Sequence, residues 1–254
     1  MTKPRNTNPL SGLINLDKPT GISSAQALNR VRKIIGQRKS GHAGTLDPLA
    51  GGVLVLCLGK GTKLVESIMD HPKVYRAQAR LDATSESLDS DSPLQPVAVA
   101  GIPSREDVVH RCRGFEGVIQ QMPPKISAVK IGGVPAYKRT RRREEVILKP
   151  RPVHVYWIHL HDYAWPEIDI EVCSGRGTYI RSLISDLGLA LGVGGCLTGL
   201  TRTRVGPFAA GDAVTLEQLE TAGAPEAYVI DLECARDMLA PHSITIPPRP
   251  DNVP

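Results

Sequence analysis

Gly41-His42-Ala43-Gly44-Thr45-Leu46-Asp47-Pro48-Leu49-Ala50-Gly51-Gly52-Val53-Leu54 organises the reading of this chain. One carboxylate is bracketed by four glycines and a proline, directly before the apolar run Val53 to Leu58. Glycine lets the backbone take positive φ and lets a ligand come close, while Pro48 fixes the chain direction just past the acid. Asp47 is therefore presented on a shaped loop that leads into a buried strand. An isolated Asp-Pro reads only as a turn. Here the whole pattern around one acid has to be explained.

Upstream of the loop, Leu13 to Leu16 reads as a short strand. Ser23 with Gln26 makes a capping box, and Ala27, Leu28, Val31, Ile34 and Ile35 recur at helical spacing before Gly36 stops the helix. Downstream, Gly59-Lys60-Gly61 reads as a turn and about Thr62 to Met69 as a short helix. Val74 to Leu81 alternates: Tyr75, Ala77, Ala79 and Leu81 fall on an apolar face, and Val74, Arg76, Gln78 and Arg80 on the other. Asp82 to Pro96 is a Ser/Asp/Pro-rich loop and Arg105 to Phe115 a helix. Met122-Pro123-Pro124 opens a segment too rich in proline and base for a core element. Val153 to Leu160 and Ile168 to Cys173 read as a hairpin, Thr178 to Leu191 as a helix and Leu197 to Val205 as a strand. A short helix near Leu216 to Glu220 and a Pro-rich tail from Pro247 close the chain. No repeat and no regular βαβ spacing is present, so the class expected is α+β, a mixed, mainly antiparallel sheet flanked by helices.

At 254 residues and 41% hydrophobic content, the chain is long enough for one large domain or one with an appendage. No apolar stretch reaches the length of a membrane span, and Met1 to Pro9 is polar rather than a signal peptide. The five cysteines lack any Cys-x-x-Cys pair, which fits a reduced cytoplasmic setting without a disulfide framework or zinc site. Net charge is +5. Between Lys138 and Arg151 lie seven bases, Arg141, Arg142 and Arg143 among them, and Arg30 to Lys39 holds five bases and no acid. Such clusters are the footprint of a phosphate backbone, although for the Arg30 run a solvated helix face is an equal reading. A P-loop is excluded, because Gly61 stands where Ser or Thr must follow Gly59-Lys60. His159 and His161 share a strand face and imitate a metal pair, but no third ligand accompanies them at a suggestive spacing.

The Asp47 stretch has the form G-H-x-G-x-L-D-P-x-A-x-G-x-L and resembles the catalytic motif of the TruB family, the tRNA pseudouridine-55 synthases. Three further motifs follow the family order. Gly12 to Ser24 is similar to its opening strand and Lys-Pro-x-Gly turn, Lys73-Val74-Tyr75-Arg76-Ala77 to the strand carrying its active-site tyrosine, and Gly177-Thr178-Tyr179-Ile180-Arg181 to the segment supplying its catalytic arginine. The resemblance implies the pseudouridine-synthase fold, with a thumb-like RNA-binding insertion at about 121–149. It divides the chain into a polar leader (1–10), a catalytic domain (11–240) and a Pro-rich tail (241–254), with no PUA domain expected.

The implied activity is isomerisation of uridine to pseudouridine at position 55, in the T-arm loop of tRNA, by base flipping and an aspartate-dependent exchange of the glycosidic bond. That chemistry uses no cofactor and no metal. The resemblance makes Asp47 the catalytic carboxylate, as nucleophile or as stabiliser of a glycal or oxocarbenium-like species, and Arg181 the guanidinium that opposes its protonation. Tyr75 is the residue that stacks on the flipped uracil and assists proton removal. His42 occupies the space left by the flipped nucleotide, Tyr179 and Leu200 line the uracil pocket, and Lys18 and Pro19 support the loop. Arg141, Arg142 and Arg143 are expected on the RNA backbone. The partner implied is tRNA alone, acted on by a monomer without guide RNA or membrane. Three departures stand out: Ile126 replaces a frequent aromatic, Ser174 lies where a cysteine often precedes G-T-Y-I-R, and Asp82 to Asp91 matches only loosely, leaving Asp89 without a role. Competing readings are an RNA-binding protein that keeps the scaffold without catalysis, and a guide-RNA-dependent catalytic subunit of the same superfamily.

Overall fold

The computed structural model describes residues 10–127, 130–131, 134–135, 139, 142, 144, 148–240 and 245–250. In chain order its principal elements are β1 (Gly12–Lys18), α1 (Ser24–Ile35), β2 (Ser40–His42), β3 (Ala50–Leu58), α2 (Val65–Asp70), β4 (Lys73–Arg80), α3 (Arg105–Gly114) and β5 (Gly117–Gln121). There follow β6 (Arg151–Ala164), β7 (Glu167–Ser174), α4 (Ile180–Ala190), β8 (Cys196–Val205), β9 (Phe208–Ala209), β10 (Val214–Thr215), α5 (Leu216–Thr221), β11 (Ile230–Asp231) and α6 (Leu232–Met238). The chain forms two compact units, Met1–Lys73 with Thr201–Thr245, and Val74–Leu200 with Ile246–Pro254. Open mixed sheet and helices make the class α+β, as the pattern predicts.

In the first unit β1 and β3 run antiparallel in unbroken register from Gly12 opposite Leu58 to Lys18 opposite Gly52. That register sets the Lys-Pro turn beside the end of the Asp47 loop. β10 pairs parallel with the end of β1, β11 antiparallel with its start, and β2 antiparallel with β3. All nine residues of β3 are buried, which is why its sequence is continuously apolar rather than alternating. Leu13, Val53, Val55, Cys57, Ile68, Val205 and Phe208 form one core cluster. Helix α1 has the expected capping box, with Ser23 accepting from the Gln26 N–H, buries Ala27, Leu28, Val31 and Ile35, and ends on Gly36 at φ +73°. The Gly59-Lys60-Gly61 turn is the start of a 3₁₀ segment, Gly59–Leu64, that runs into α2. Helix α6, capped by Asp231, is an element that the sequence pattern does not predict.

In the second unit the strand order is β4-β7-β6-β5, with β6 antiparallel to both neighbours. Ala77, Ala79 and Leu81 are buried as the alternation requires. Val74, placed by that alternation on the polar side, is also buried, against Trp157 and Cys173, because the start of β4 is covered on both faces. Helix α4 buries Ile180, Leu183, Ile184 and Leu187. The Asp82 to Pro96 loop contains a short antiparallel pairing of Ala83–Thr84 with Gln95–Pro96 and an inner turn whose Ser85, Ser87 and Asp89 are buried. Between β5 and β6, Lys130–Ile131 pairs with Val134–Pro135. No helix among the described residues is long and apolar enough to cross a membrane.

Candidate active site

Asp47 stands partly exposed in the turn between β2 and β3. The backbone on either side of it is tied from outside. The buried Ser24 hydroxyl, in the first turn of α1, donates to the Leu46 carbonyl (2.9 Å) and accepts the Leu46 N–H (2.8 Å). The Gly21 N–H donates to the Pro48 carbonyl at 2.8 Å. Positive φ is required at Gly44 (+97°) and Gly52 (+91°), and a Cβ at Gly52 would lie 2.3 Å from the Arg202 carbonyl oxygen. The sequence's glycines thus act at two points, one on each side of the acid.

Cations stand close to that loop. Lys18 is 1% exposed, and its Nζ donates to the carbonyls of Pro19 (2.8 Å) and Ile22 (2.6 Å), holding the Lys-Pro turn closed. Burial pulls the Lys18 ammonium down from 10.5 to about 8, with Asp47 opposing the shift and Arg202 adding to it. Arg202, on β8, is 2% exposed and donates from Nε to the Val53 carbonyl (2.8 Å) and from Nη2 to the Gly44 carbonyl (3.1 Å). His42 is half-buried, its Nδ1 without a hydrogen-bond partner among the described residues. Burial first, and then Arg202, lower its pKa. A neutral imidazole suits packing against a base better than gripping a phosphate. Lys18, His42 and Asp47 are thus brought together in one unit, with Pro19 exposed at the turn.

The second unit carries the other candidates. Arg181 is 4% exposed; Nη1 donates to the Ser87 carbonyl (2.8 Å) and Nη2 to the Ile126 carbonyl (2.9 Å). Its Nη1 also lies 3.4 Å from Oδ2 of the buried Asp89. Asp89 is itself fixed by the Ser87 hydroxyl (2.5 Å) and the Asp91 N–H (3.1 Å) on Oδ1. A buried ion pair with these hydrogen bonds holds the guanidinium in one orientation. Tyr179, the residue before α4, is pinned by the Gln121 amide, which accepts its N–H (2.8 Å) and donates to its carbonyl (3.1 Å). The Arg151 guanidinium lies 5.1 Å from the Tyr179 ring centroid and donates to the Gly177 carbonyl at 2.7 Å. Tyr75 on β4 and Leu200 on β8 are half-buried.

The sequence does not single out Ser24, Gln121, Asp89, Arg151 or Arg202 as site residues. None of them carries a local signal; Asp89 sits with Ser85 and Ser87 in a Ser/Asp-rich turn that reads as solvated. Of the basic residues, Arg142 is exposed, with Nη1 3.7 Å from Glu144. Arg141 and Arg143 lie outside the described residues. In the earlier run Arg30 pairs with Glu220 (2.7 Å) and Arg32 bonds the Ser40 hydroxyl and carbonyl, so two of those five bases hold the fold. His161 pairs with Glu171 at 3.0 Å.

A family model described as the N-terminal domain of TruB family pseudouridylate synthases matches residues 32–180, and one described as the tRNA pseudouridylate synthase B C-terminal domain matches residues 181–243. The chain belongs to the TruB family. Among its relatives, the tRNA pseudouridine synthase B of Syntrophotalea carbinolica is 41% identical over 217 residues, covering 85% of this chain and 71% of the relative. That of Nocardia farcinica is 44% identical over 219 residues, covering 85% and 72%. Among solved structures, a Cbf5-Nop10-Gar1 complex matches at TM-score 0.70 and 31% identity, over 89% of this chain and 62% of the other. An H/ACA RNP bound to a substrate RNA containing 2'-deoxyuridine matches at TM-score 0.66 and 29% identity, over 89% and 61%. The chain thus spans about three fifths of those longer proteins. Both TruB models together cover the Asp47 loop, Tyr75, Tyr179, Arg181 and Arg202.

Proposed function

We propose that the protein is a tRNA pseudouridine synthase that isomerises the uridine at position 55, in the T-arm loop. The observation that carries this reading is the Asp47 loop. It presents a single carboxylate, partly exposed and tied on both sides through Ser24 and Gly21, with the buried cations Lys18 and Arg202 beside it. The family supplies the reaction class, and the relatives' shared name supplies tRNA as substrate.

The reaction breaks the N1–C1′ bond, turns the uracil and joins C5 to C1′; the C5 proton leaves and N1 regains one, so nothing is oxidised or reduced. Extruding the base costs a few kcal/mol, and stacking on an aromatic ring returns roughly 1–3 kcal/mol. Tyr75 provides that ring and, through its hydroxyl, assists loss of the C5 proton. Asp47 acts at the sugar as an ionised carboxylate, either as nucleophile or as stabiliser of the cationic sugar. Arg181 opposes uptake of a proton by that carboxylate. His42 fills the space the nucleotide leaves, Tyr179 and Leu200 line the uracil pocket, and Lys18 and Pro19 hold the loop. Arg141, Arg142 and Arg143 grip the phosphate backbone, and the protein works as a monomer, in the cytoplasm, without guide RNA. The test is incubation of the purified chain with an unmodified tRNA transcript and nothing else, followed by mapping of pseudouridine. Product at position 55 is expected. Product at another position refutes the site, and no product without an added RNA or protein refutes independent action.

A further inference from the structure

We propose that Arg202 is a positioning residue for Asp47, its buried guanidinium joining the two ends of the loop so that the carboxylate stands in one place. The inference rests on the functional reading above.

Gly44 lies three residues before Asp47 and Val53 six after it. Both carbonyls accept from the same guanidinium, Gly44 from Nη2 and Val53 from Nε. Because the guanidinium is planar and rigid, its two donors fix the separation of those carbonyls in a way that a flexible ammonium cannot. The main chain of Arg202 meets the loop as well, since the position of a Cβ on Gly52 falls 2.3 Å from the Arg202 carbonyl oxygen. Side chain and backbone of one residue thus brace Gly44, Gly52 and Val53, while Ser24 braces Leu46 from α1.

A guanidinium that is 2% exposed is an expensive way to fill a core, where an apolar side chain would pack without burying charge. Its presence needs a reason beyond packing, and its partners supply one: the hydrogen bonds to Gly44 and Val53 land on the turn and strand that carry the acid. The charge has a further use. Asp47 and Arg202 each act electrostatically on Lys18, in opposite senses, and a fixed cation bonded to the loop favours the ionised form of a carboxyl that the loop carries.

The experiment compares wild type, Arg202→Lys, Arg202→Met and Gly52→Ala in single-turnover pseudouridine formation at saturating tRNA, with Kd measured in parallel. Arg202→Lys keeps the charge but replaces two donors at a fixed spacing with one flexible ammonium, and Gly52→Ala strains both the Gly52 backbone at φ +91° and its approach to the Arg202 carbonyl. Rates about 10- to 100-fold below wild type are expected in all three, with Kd within about threefold, because misplacing a reacting group slows chemistry without weakening RNA binding. The acid limb of the rate profile should move to higher pH in Arg202→Met but not in Arg202→Lys, a split that packing alone does not produce. Rates within about threefold of wild type in folded variants would overturn the assignment, as would a rate loss matched by an equal loss of affinity. If Arg202→Met does not fold, Arg202→Lys decides the matter. An inactive wild-type protein refutes the functional reading instead, so the two failures are told apart by the first sample.

Discussion

Lys18 should give the reaction a descending limb at about pH 8, and the same titration should stabilise the fold. Its ammonium is drawn down from 10.5 to about 8 by burial. A group with that value is roughly nine-tenths protonated at pH 7 and about one-tenth at pH 9. The charged form clamps the Pro19 and Ile22 carbonyls and supplies a cation to the Asp47 loop. The single-turnover rate should therefore fall about tenfold between these two pH values. Stability responds with the opposite sign. The unfolded lysine binds a proton up to 10.5 and the folded one only to about 8, so between them the unfolded state holds more protons and stability rises with pH. The depression corresponds to ~3 kcal/mol by the top of that window, and none of it appears below about pH 8. Other lysines and the tyrosines also titrate there, so the measurement is the difference between wild type and Lys18→Met in denaturant melts across the window. In kinetics, Lys18→Met should be slow and flat where wild type falls, since any limb that belongs to the RNA stays in the variant. A wild-type rate that holds to about pH 9.5, or the same limb in Lys18→Met, would refute the assignment of that titration to Lys18.

Asp47→Asn should abolish pseudouridine formation while tRNA affinity stays within a few-fold, because affinity comes mainly from phosphate contacts; measurable turnover by the purified variant would remove Asp47 from the chemistry. Tyr75→Phe keeps the stacking ring and loses the hydroxyl, so Kd should hold while the single-turnover rate drops by about 10²-fold or more; equal losses in both point to packing. Arg141, Arg142 and Arg143 changed together to Ala should weaken tRNA binding and flatten the log–log salt dependence by roughly one unit for each phosphate no longer neutralised, with little change in rate at saturating RNA. An unchanged slope means that the charges are merely solvated.

What the sequence discloses and what it hides divide along a physical line. The apolar run of β3, the capping box at Ser23 and the alternation in β4 are legible because each element's burial is written in its own few residues. The candidate site is legible only where chemistry imposes a local pattern, as in the glycine-bracketed Asp47. Arg202 shows the limit. In Thr201-Arg202-Thr203-Arg204 the two arginines share a strand face and look alike, yet Arg202 is 2% exposed and Arg204 is not buried. The difference lies in the Gly44 and Val53 carbonyls, about 150 residues away along the chain, which no window on β8 contains. Asp89 repeats the case: its loop reads as solvated because it is rich in Ser and Asp, whereas the structure turns those groups inward onto Arg181. Charge runs mislead in the other direction, since Arg30 and Arg32 are engaged with Glu220 and Ser40, while Lys33, Arg38 and Lys39 remain exposed. A basic residue whose partners are seen is therefore assigned to the loop or to the fold by those partners. The same partners say which substitution should change rate and which stability.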